Sequence, residues 1–216
     1  MSEWHSAKYW RNRQPIERLK NAHIPKRFTK KTLDDYDTGL GSPDVVTYVH
    51  QWLANIEHNR ECGEGLYFFG GSGSGKTHVA CGLLREIVLN HQLSGFFITA
   101  EKFVEASYDE MNPDNVLSDM YSDEYMLKYI NAVYDVLVLD NLGSERMTDF
   151  TKKTITSMLN SRYEQQLITI ITSEIPLSRL SDIYGPRVAS ILSECCCVLP
   201  FLGKDYRLLD PHYAGK

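Results

Sequence analysis

The feature that most constrains this chain is a glycine-rich segment, Gly70-Gly71-Ser72-Gly73-Ser74-Gly75-Lys76-Thr77, which directly follows the apolar run Leu66–Phe69. The segment matches the pattern G-x-x-x-x-G-K-[ST], and the helical periodicity from Thr77 onward completes the strand–loop–helix context that this pattern requires. Glycines let the backbone curl until successive N–H groups face one anion, and the N-terminus of the next helix adds positive potential. The segment therefore predicts a polyphosphate site.

Short apolar runs alternate with helical periodicity through most of the chain. The runs are Gly65–Phe69, Gly95–Thr99, Val136–Leu139 and Leu167–Thr172, and the helical stretches are Thr77–Asn90, Ala100–Tyr108, Asp123–Ala132 and Phe150–Gln165. Each run is almost entirely apolar, which is typical of strands that are covered on both faces. The alternation predicts an α/β P-loop fold of three layers, α/β/α, with a mostly parallel sheet. A further helix is expected over Asp44–Leu53, with Ser42-Pro43 at its start.

Asp140 ends the apolar run Val136–Leu139 and supplies a second group for the phosphate site. In P-loop enzymes such an acid and the P-loop hydroxyl hold the Mg²⁺ that accompanies the nucleotide, while the lysine reaches the β- and γ-phosphates. ATP and Mg²⁺ are therefore the predicted cofactors, with Thr77 and Asp140 as the metal ligands and with Lys76 and Asp140 as catalytic residues. The predicted nucleotide contacts are Gly70, Gly71, Ser72, Gly73, Ser74, Gly75, Lys76, Thr77 and His78.

Charge is distributed unevenly, although the chain as a whole carries −5. Residues 1–31 hold nine lysines and arginines against two acidic residues, while the rest of the chain holds 14 against 26. Because the net charge is negative, we do not expect a protein that coats nucleic acid non-specifically. The basic arm, which includes Trp4, Tyr9 and Trp10, is compatible with stacking on single-stranded bases, with docking on an acidic partner, or with a solvated and partly helical tail.

The same patterns suggest how the chain is divided. We expect a basic, partly helical arm over 1–31 for partner or DNA docking, a linker and leading helix over 32–64, a nucleotide-binding core over 65–210, and a tail over 211–216. The N-terminus lacks the apolar run of a signal peptide, and no stretch is apolar for the roughly 18 residues of a membrane span. The expectation is a cytoplasmic protein without membrane partners.

Five cysteines are present, an odd number, and none forms a C-x-x-C pair. This pattern favours a reducing compartment and gives no indication of a zinc site. The run Cys195-Cys196-Cys197 is interpreted as core packing in a buried strand, because neighbouring strand residues point to opposite faces and cysteine behaves as a small apolar residue. A reactive thiol cluster is the alternative interpretation.

Beyond the phosphate loop, five segments carry a family resemblance. They are Asp140–Glu145, Leu159–Tyr163, Ile168–Ser173, Gly185–Ser190 and Asp205–Arg207. In their order and spacing they resemble the AAA+ helicase loaders of the DnaC type and their IstB relatives in transposition, over about residues 24 to 210. The resemblance implies an AAA+ type of P-loop fold, ATP binding, and a replicative helicase that is engaged through the N-terminal part and placed on single-stranded DNA. It also implies a bacterial or phage-infected cell.

The resemblance assigns roles to individual residues, and three positions depart from it. Arg207 matches the sensor-2 arginine, which is catalytic and touches the nucleotide, and Arg187 matches the first arginine of an R-x-x-S-R pattern that reaches between subunits. The second arginine of that pattern, often the arginine finger, is Ile191 here. Glu174 replaces a polar residue after the sensor-1 strand end Thr172-Ser173, and Asn141 stands where many ATPases carry an acid.

These departures bear on hydrolysis rather than on binding. An amide at position 141 cannot accept a proton from water at neutral pH, and an arginine finger contributes about 10³- to 10⁵-fold in rate. Asn141 thus remains a candidate catalytic residue that positions water without acting as its base. The prediction is a helicase loader that binds ATP and hydrolyses it slowly or only with a partner.

Other functions and assemblies remain open. A non-hydrolysing adaptor or inhibitor of a helicase and a transposition helper of the IstB type share the same nucleotide-binding residues. A small-molecule kinase is disfavoured, because the acidic stretch from Glu101 to Glu124 offers no arginine-bearing lid. The aromatic and methionine residues of Glu101–Tyr134 are interpreted as packing or partner contacts, with DNA tracking as the alternative. The assembly is expected to be a homo-oligomer or an array of monomers on a helicase ring.

Overall fold

A computed structural model describes residues 9, 11–39, 41–111, 130, 133–203 and 205–206, with the side chains of residues 109–111 excepted. Its central element is a parallel sheet whose strands lie in the order β2-β3-β4-β1-β5. The strands are β1 (Gly65–Gly70), β2 (Gly95–Thr99), β3 (Val136–Leu142), β4 (Ile168–Ser173) and β5 (Cys196–Phe201). The parallel sheet predicted from the alternating pattern is confirmed.

Helices cover both faces of the sheet, which gives the predicted three layers. The helices are α1 (Pro15–Asn21), α2 (Pro43–Ala54), α3 (Ile56–Cys62), α4 (Lys76–Asn90), α5 (Ala100–Met111), α6 (Asp149–Glu164), α7 (Leu177–Tyr184) and α8 (Pro186–Cys195). Residues of α2 and α4 share one apolar cluster with Leu66 and Phe68 of β1. Residues of α5 to α8 share the other cluster with Tyr67, so β1 is buried from both sides.

The order of the strands determines which side chains meet at the carboxyl edge of the sheet. Strand β4 lies between β1 and β3, with Phe69 of β1 in register with Ser173 of β4. The loop after β1, the end of β4 and the end of β3 therefore lie side by side. In open α/β sheets, ligands bind at this edge, beyond the carboxyl ends of the strands.

The structure adds elements that the sequence patterns did not indicate. The helices α3, α7 and α8 were not predicted, and of strand β5 only its start, in the Cys195–Cys197 run, was indicated. Asp123–Ala132 lies outside the described residues except for Ile130. Helix α2 has Pro43 in its first turn as expected, but Ser42 makes no capping bond there. The Ser42 hydroxyl instead accepts a hydrogen bond from the backbone N–H of Leu202 at 2.9 Å, which ties the linker to the chain after β5.

The described part of the basic arm packs on the core. Helix α1 contacts α4 and β2, and the carbonyl of Ala22 accepts the N–H of Phe97 at 2.8 Å along the edge of the sheet. Arg18 is buried and donates to the carbonyl of Val88 at 2.9 Å, while Arg11 donates to the buried carboxylate of Asp135 at 2.9 Å. These two arginines thus serve the core, and a docking role stays a prediction for the other basic residues of the arm.

Within the described residues, none of the helices has the length and the apolar composition needed to cross a bilayer. The five cysteines are all free thiols.

Candidate nucleotide-binding site

The loop between β1 and α4 adopts a curled backbone that depends on two glycines. Gly73 has φ +69° and Gly75 has φ +93°, in the left-handed region that residues with a Cβ rarely enter. A Cβ on Gly75 would lie 2.5 Å from Cε2 of Tyr36, and one on Gly73 would overlap the carboxylate of Asp205. Because Gly75 is also the N-cap of α4, the loop and the start of the helix together form an anion-binding concavity.

Lys76 is folded over this loop. Its side chain is buried, and its Nζ donates to the carbonyl oxygens of Gly70 at 2.8 Å and of Gly71 at 2.7 Å. An ammonium held by loop carbonyls is a point charge in reach of any anion that the loop N–H groups bind. Ser74 completes the turn, since its hydroxyl donates to the carbonyl of Gly71 at 2.8 Å.

Asp140 lies opposite the loop and accepts two hydroxyl groups on one oxygen. Its Oδ1 receives hydrogen bonds from Oγ1 of Thr77 at 2.8 Å and from Oγ1 of Thr172 at 2.7 Å. Asp140 itself is only 7% exposed. The structure thus brings the two predicted metal ligands, Thr77 and Asp140, into direct contact. Carboxylate and hydroxyl oxygens are hard donors of the kind that Mg²⁺ takes up together with substrate phosphates, so these residues fit that ion.

Thr172 was assigned from the sequence to the sensor-1 strand end, but its contact with Asp140 was not predicted. It lies at the end of β4, and its Oγ1 also accepts the backbone N–H of Asn141 at 2.8 Å. The hydroxyl thereby connects the ends of β3 and β4. From the sequence, Thr172 could be placed only at the end of a strand. Its contact with Asp140, 32 residues away in sequence, depends on the order of the strands in the sheet.

Two of the three departures lie at the rim of the site. Asn141 is exposed and has φ +64°, a conformation that asparagine tolerates better than most residues. Glu174 is exposed directly after β4. Neither side chain takes part in the Thr77–Asp140–Thr172 contacts, so the central hydrogen bonds of the site do not depend on them.

The residues predicted to reach between subunits lie on helix α8. Ile191 is 6% exposed, and its apolar side chain supplies no charge at this position. Arg187 is exposed at the start of the same helix and donates to the side-chain oxygen of Asn160 on α6. Arg207 lies outside the described residues.

Two tyrosines that sequence reasoning did not single out enclose the loop. Tyr36, from the linker, donates to the carbonyl of Ser74 at 3.2 Å, and the backbone N–H of Tyr206 donates to the carbonyl of Gly73 at 3.1 Å. Their rings lie 5.7 Å apart, and the hydroxyl of Tyr206 donates to the carbonyl of Asp37. The linker and the C-terminal segment thus meet over the phosphate loop.

His78 was predicted as a nucleotide contact, but its ring faces the linker. Nε2 lies 3.0 Å from the carbonyl of Thr32, and the ring packs edge-on against Tyr36. Burial lowers the pKa of His78, which favours the neutral ring. The His78 ring thus holds the linker against α4, and a nucleotide contact through the backbone of His78 stays a prediction.

The curled loop makes a prediction about stability. Replacing Gly73 by Ala places a Cβ in the left-handed region and against Asp205, and we expect a loss of about 1–2 kcal/mol in the free energy of unfolding. Gly71→Ala is the matched control, because a Cβ there would meet no atom within 4 Å. We expect that variant to stay within about 0.5 kcal/mol of the wild type in urea unfolding. Equal stability of the two variants would contradict the assigned loop conformation.

Comparison with known proteins agrees with this geometry. Residues 4–208 match the family model described as IstB-like ATP binding protein. The replicative helicase loader DnaI of Bacillus subtilis strain 168 is 29% identical over 114 residues, which are 51% of this chain and 33% of DnaI. The chain therefore spans about a third of the length of that curated relative.

Solved structures show the same architecture. The crystal structure of the DnaC helicase loader superposes with a TM-score of 0.68 at 27% identity, covering 82% of this chain and 99% of that chain. The crystal structure of DnaI gives a TM-score of 0.66 at 20% identity over 83% of this chain and 95% of that chain, a likeness of fold alone.

These likenesses confirm the predicted AAA+ type of P-loop fold. Because the family match extends over nearly the whole chain and includes the phosphate loop and Asp140, this protein belongs to the family of IstB-like ATP-binding proteins.

Proposed function

We propose that this protein is an ATP- and Mg²⁺-binding helicase loader of DNA replication whose hydrolysis of ATP is slow or depends on a partner. The observation that carries the proposal is the contact of Thr77 and Asp140 beside the loop that Lys76 covers. Mg²⁺ would neutralise phosphate charge at Thr77 and Asp140, and the loop N–H groups together with Lys76 would bind the phosphates. The similarity to the DnaC and DnaI helicase loaders supports the role in replication.

Slow hydrolysis is supported by the side chains at three positions, 141, 174 and 191. Asn141 can orient water through its amide but cannot take its proton, and the exposed carboxylate of Glu174 would repel a γ-phosphate rather than attract it. Isoleucine at position 191 supplies no arginine finger to a neighbouring subunit. ATP would then act chiefly as a conformational switch, with Arg187 as a candidate for contact between subunits and Arg207 as a candidate for contact with the nucleotide.

The partner surface that we propose is the basic N-terminal segment. Lys20, Lys26, Arg27 and Lys30 are exposed there, while Arg11 and Arg18 hold the segment on the core. A surface of this charge suits an acidic face of a replicative helicase or the phosphates of single-stranded DNA. Whether the chain acts as a homo-oligomer or as monomers arrayed on a helicase ring would follow from how that surface is used.

The test is ATP turnover by the purified chain, alone and with a replicative helicase and single-stranded DNA. We expect less than about 0.1 turnovers per second alone, since a missing arginine finger costs about 10³- to 10⁵-fold in rate. The helicase should raise this rate, and Asp140→Asn should abolish the increase. A turnover of several per second by the chain alone would contradict the proposal.

A second candidate, a non-hydrolysing adaptor or inhibitor of the helicase, is favoured by Asn141 in particular. The turnover of the wild type separates the two, and Asn141→Asp tests this position, because both side chains have nearly the same shape and both tolerate a positive φ. If the protein is a loader, the wild type already hydrolyses ATP when the helicase is present, and Asn141→Asp should change that rate of hydrolysis. Helicase and nucleotide binding without turnover in the wild type under every condition would favour the adaptor.

A further inference from the structure

Two adjacent thiols meet at the junction of α8 and β5. Cys195 is the last residue of the helix and Cys196 is the first of the strand, and their Sγ atoms lie 3.8 Å apart. Within a regular strand the two side chains would point to opposite faces of the sheet. The change from helical to extended backbone at the junction brings both sulfurs together instead. The interpretation of this run as packing in a buried strand is thus incomplete.

The two thiols differ in their access to solvent. Cys195 is half-buried and lines a surface cavity of about 310 Å³, together with Cys62, Tyr163 and Glu194. Cys196 is 8% exposed, does not line this cavity, and has its Sγ 3.9 Å from the carbonyl of Thr169. A small reagent in the cavity therefore reaches Cys195 first, with Cys196 directly behind it.

The hydrogen bond between the sulfurs also makes their reactivity unequal. The thiol of Cys196 stabilises the thiolate of Cys195, which lowers the pKa of Cys195 and raises that of Cys196. Burial raises the pKa of the Cys81 and Cys197 thiols. Since the thiolate is the nucleophile, Cys195 is the better attacking sulfur of the two adjacent cysteines.

We propose that Cys195 and Cys196 form an oxidation site at which a small hydroperoxide converts the adjacent thiols into a reversible disulfide. In the first step the sulfur of Cys195 attacks hydrogen peroxide, the O–O bond breaks, and Cys195 becomes a sulfenic acid as water leaves. In the second step the sulfur of Cys196 attacks the sulfur of Cys195, the S–O bond breaks, and the hydroxide leaves as water with the proton of Cys196. In sum, two thiols and one hydrogen peroxide give one disulfide and two water molecules.

The geometry makes this disulfide easy to reduce. The Cα atoms of adjacent residues lie about 3.8 Å apart across a trans peptide, below the usual range of about 4.4–6.8 Å for disulfides. Strained disulfides have higher reduction potentials than structural disulfides and are therefore reduced more easily. We therefore expect the bond to reopen with a simple thiol.

The site is separate from the phosphate loop. Cys196 is in register with Gly65 at the start of β1, whereas Phe201 is in register with Gly70, where the loop begins. Five residues along a strand correspond to about 16 Å. The inference therefore does not depend on the proposed function, and its test needs no nucleotide or helicase.

The test uses the full chain, treated with hydrogen peroxide at neutral pH, unfolded, alkylated and analysed by peptide mass. We expect a peptide containing Cys195, Cys196 and Cys197 that has lost two hydrogens and carries a single alkyl group, on Cys197. It should form at least about 10-fold faster than any oxidation of the exposed Cys62, because thiolate character governs the rate. Dithiothreitol should restore alkylation of both residues.

Variants identify the order of the steps. Cys195→Ser should abolish the disulfide, Cys196→Ser should leave a sulfenic acid on Cys195 that dimedone traps, and Cys62→Ser should change nothing. Because the side chain of Cys195 is only half-buried, Cys195→Ser keeps the proposal testable even if Cys196→Ser folds poorly. Oxidation of Cys195 no faster than that of Cys62, a sulfinic acid in place of the disulfide, or a Cys62–Cys195 crosslink would overturn the proposal.

Discussion

Lys76→Ala should bind ATP at least about 100-fold more weakly than the wild type, a loss of about 2.7 kcal/mol. The wild-type ammonium is held 2.8 and 2.7 Å from the carbonyls of Gly70 and Gly71, so it reaches the phosphate position without having to be ordered on binding. The lysine places a full positive charge over the loop. Displacement of a fluorescent ATP analogue measures the effect.

The controls for this prediction separate charge from folding. Because Lys76 is buried, Lys76→Met is a second variant, which keeps much of the apolar stem but removes the charge, and it should lose binding equally. Lys153→Ala, at an exposed position of α6, should leave affinity unchanged. Binding by Lys76→Ala within about threefold of the wild type would mean that the loop does not hold a polyphosphate, since about 0.65 kcal/mol is too little for such a contact.

Arg162→Met should lower the free energy of unfolding by about 3–5 kcal/mol, because it leaves several buried carbonyl oxygens without their donor. The guanidinium donates to Oγ1 of Thr169 at 2.9 Å and to the carbonyls of Ile168 at 2.7 Å, Ile130 at 2.9 Å and Tyr134 at 3.2 Å. It thereby joins α6 to β4 and to the chain before β3. Methionine fills a similar volume but leaves buried carbonyls without donors, at about 1–3 kcal/mol for each such group.

The measurement is urea unfolding at neutral pH. Burial lowers the pKa of Arg162 to about 9, which still leaves the guanidinium charged at that pH. Arg179→Met, at an exposed position of α7, is the matched control and should change stability by less than about 0.5 kcal/mol. If Arg162→Met lost less than about 1 kcal/mol, the hydrogen bonds of Arg162 would not be holding these elements together.

Strands β1 to β4 follow from the sequence because each is covered on both faces and therefore reads as an unbroken apolar run. Strand β5 follows only in part, since the sequence indicated a buried strand at Cys195–Cys197 but not its extent to Phe201. Its residues alternate in exposure, with Val198 38% exposed and Phe201 1% exposed, and the run includes a proline and two cysteines. The short helices α7 and α8 were missed for a related reason, because each has only one buried stripe over two or three turns.

The phosphate loop and Asp140 could be assigned from the sequence because their function depends on local backbone chemistry. The motif requires glycines at positions 73 and 75, a lysine after them and an acid at the end of a strand. This requirement does not depend on which distant residues pack around the site. His78 stands in the same motif, yet its ring turned out to face the linker, because the contact with Thr32 lies 46 residues away in sequence. A motif specifies the backbone path and not the neighbours of each side chain.

The sequence by itself determined the layered α/β fold, the curled phosphate loop and the identity of its lysine, threonine and aspartate. Only the tertiary structure decided that Thr172 joins Asp140, that Tyr36 and Tyr206 enclose the loop, and that Arg11 and Arg18 belong to the core. The physical reason is range. Backbone curvature and apolar periodicity depend on residues a few positions apart in sequence. These contacts instead join residues far apart in sequence, and they depend on the order of the strands and on how distant segments pack.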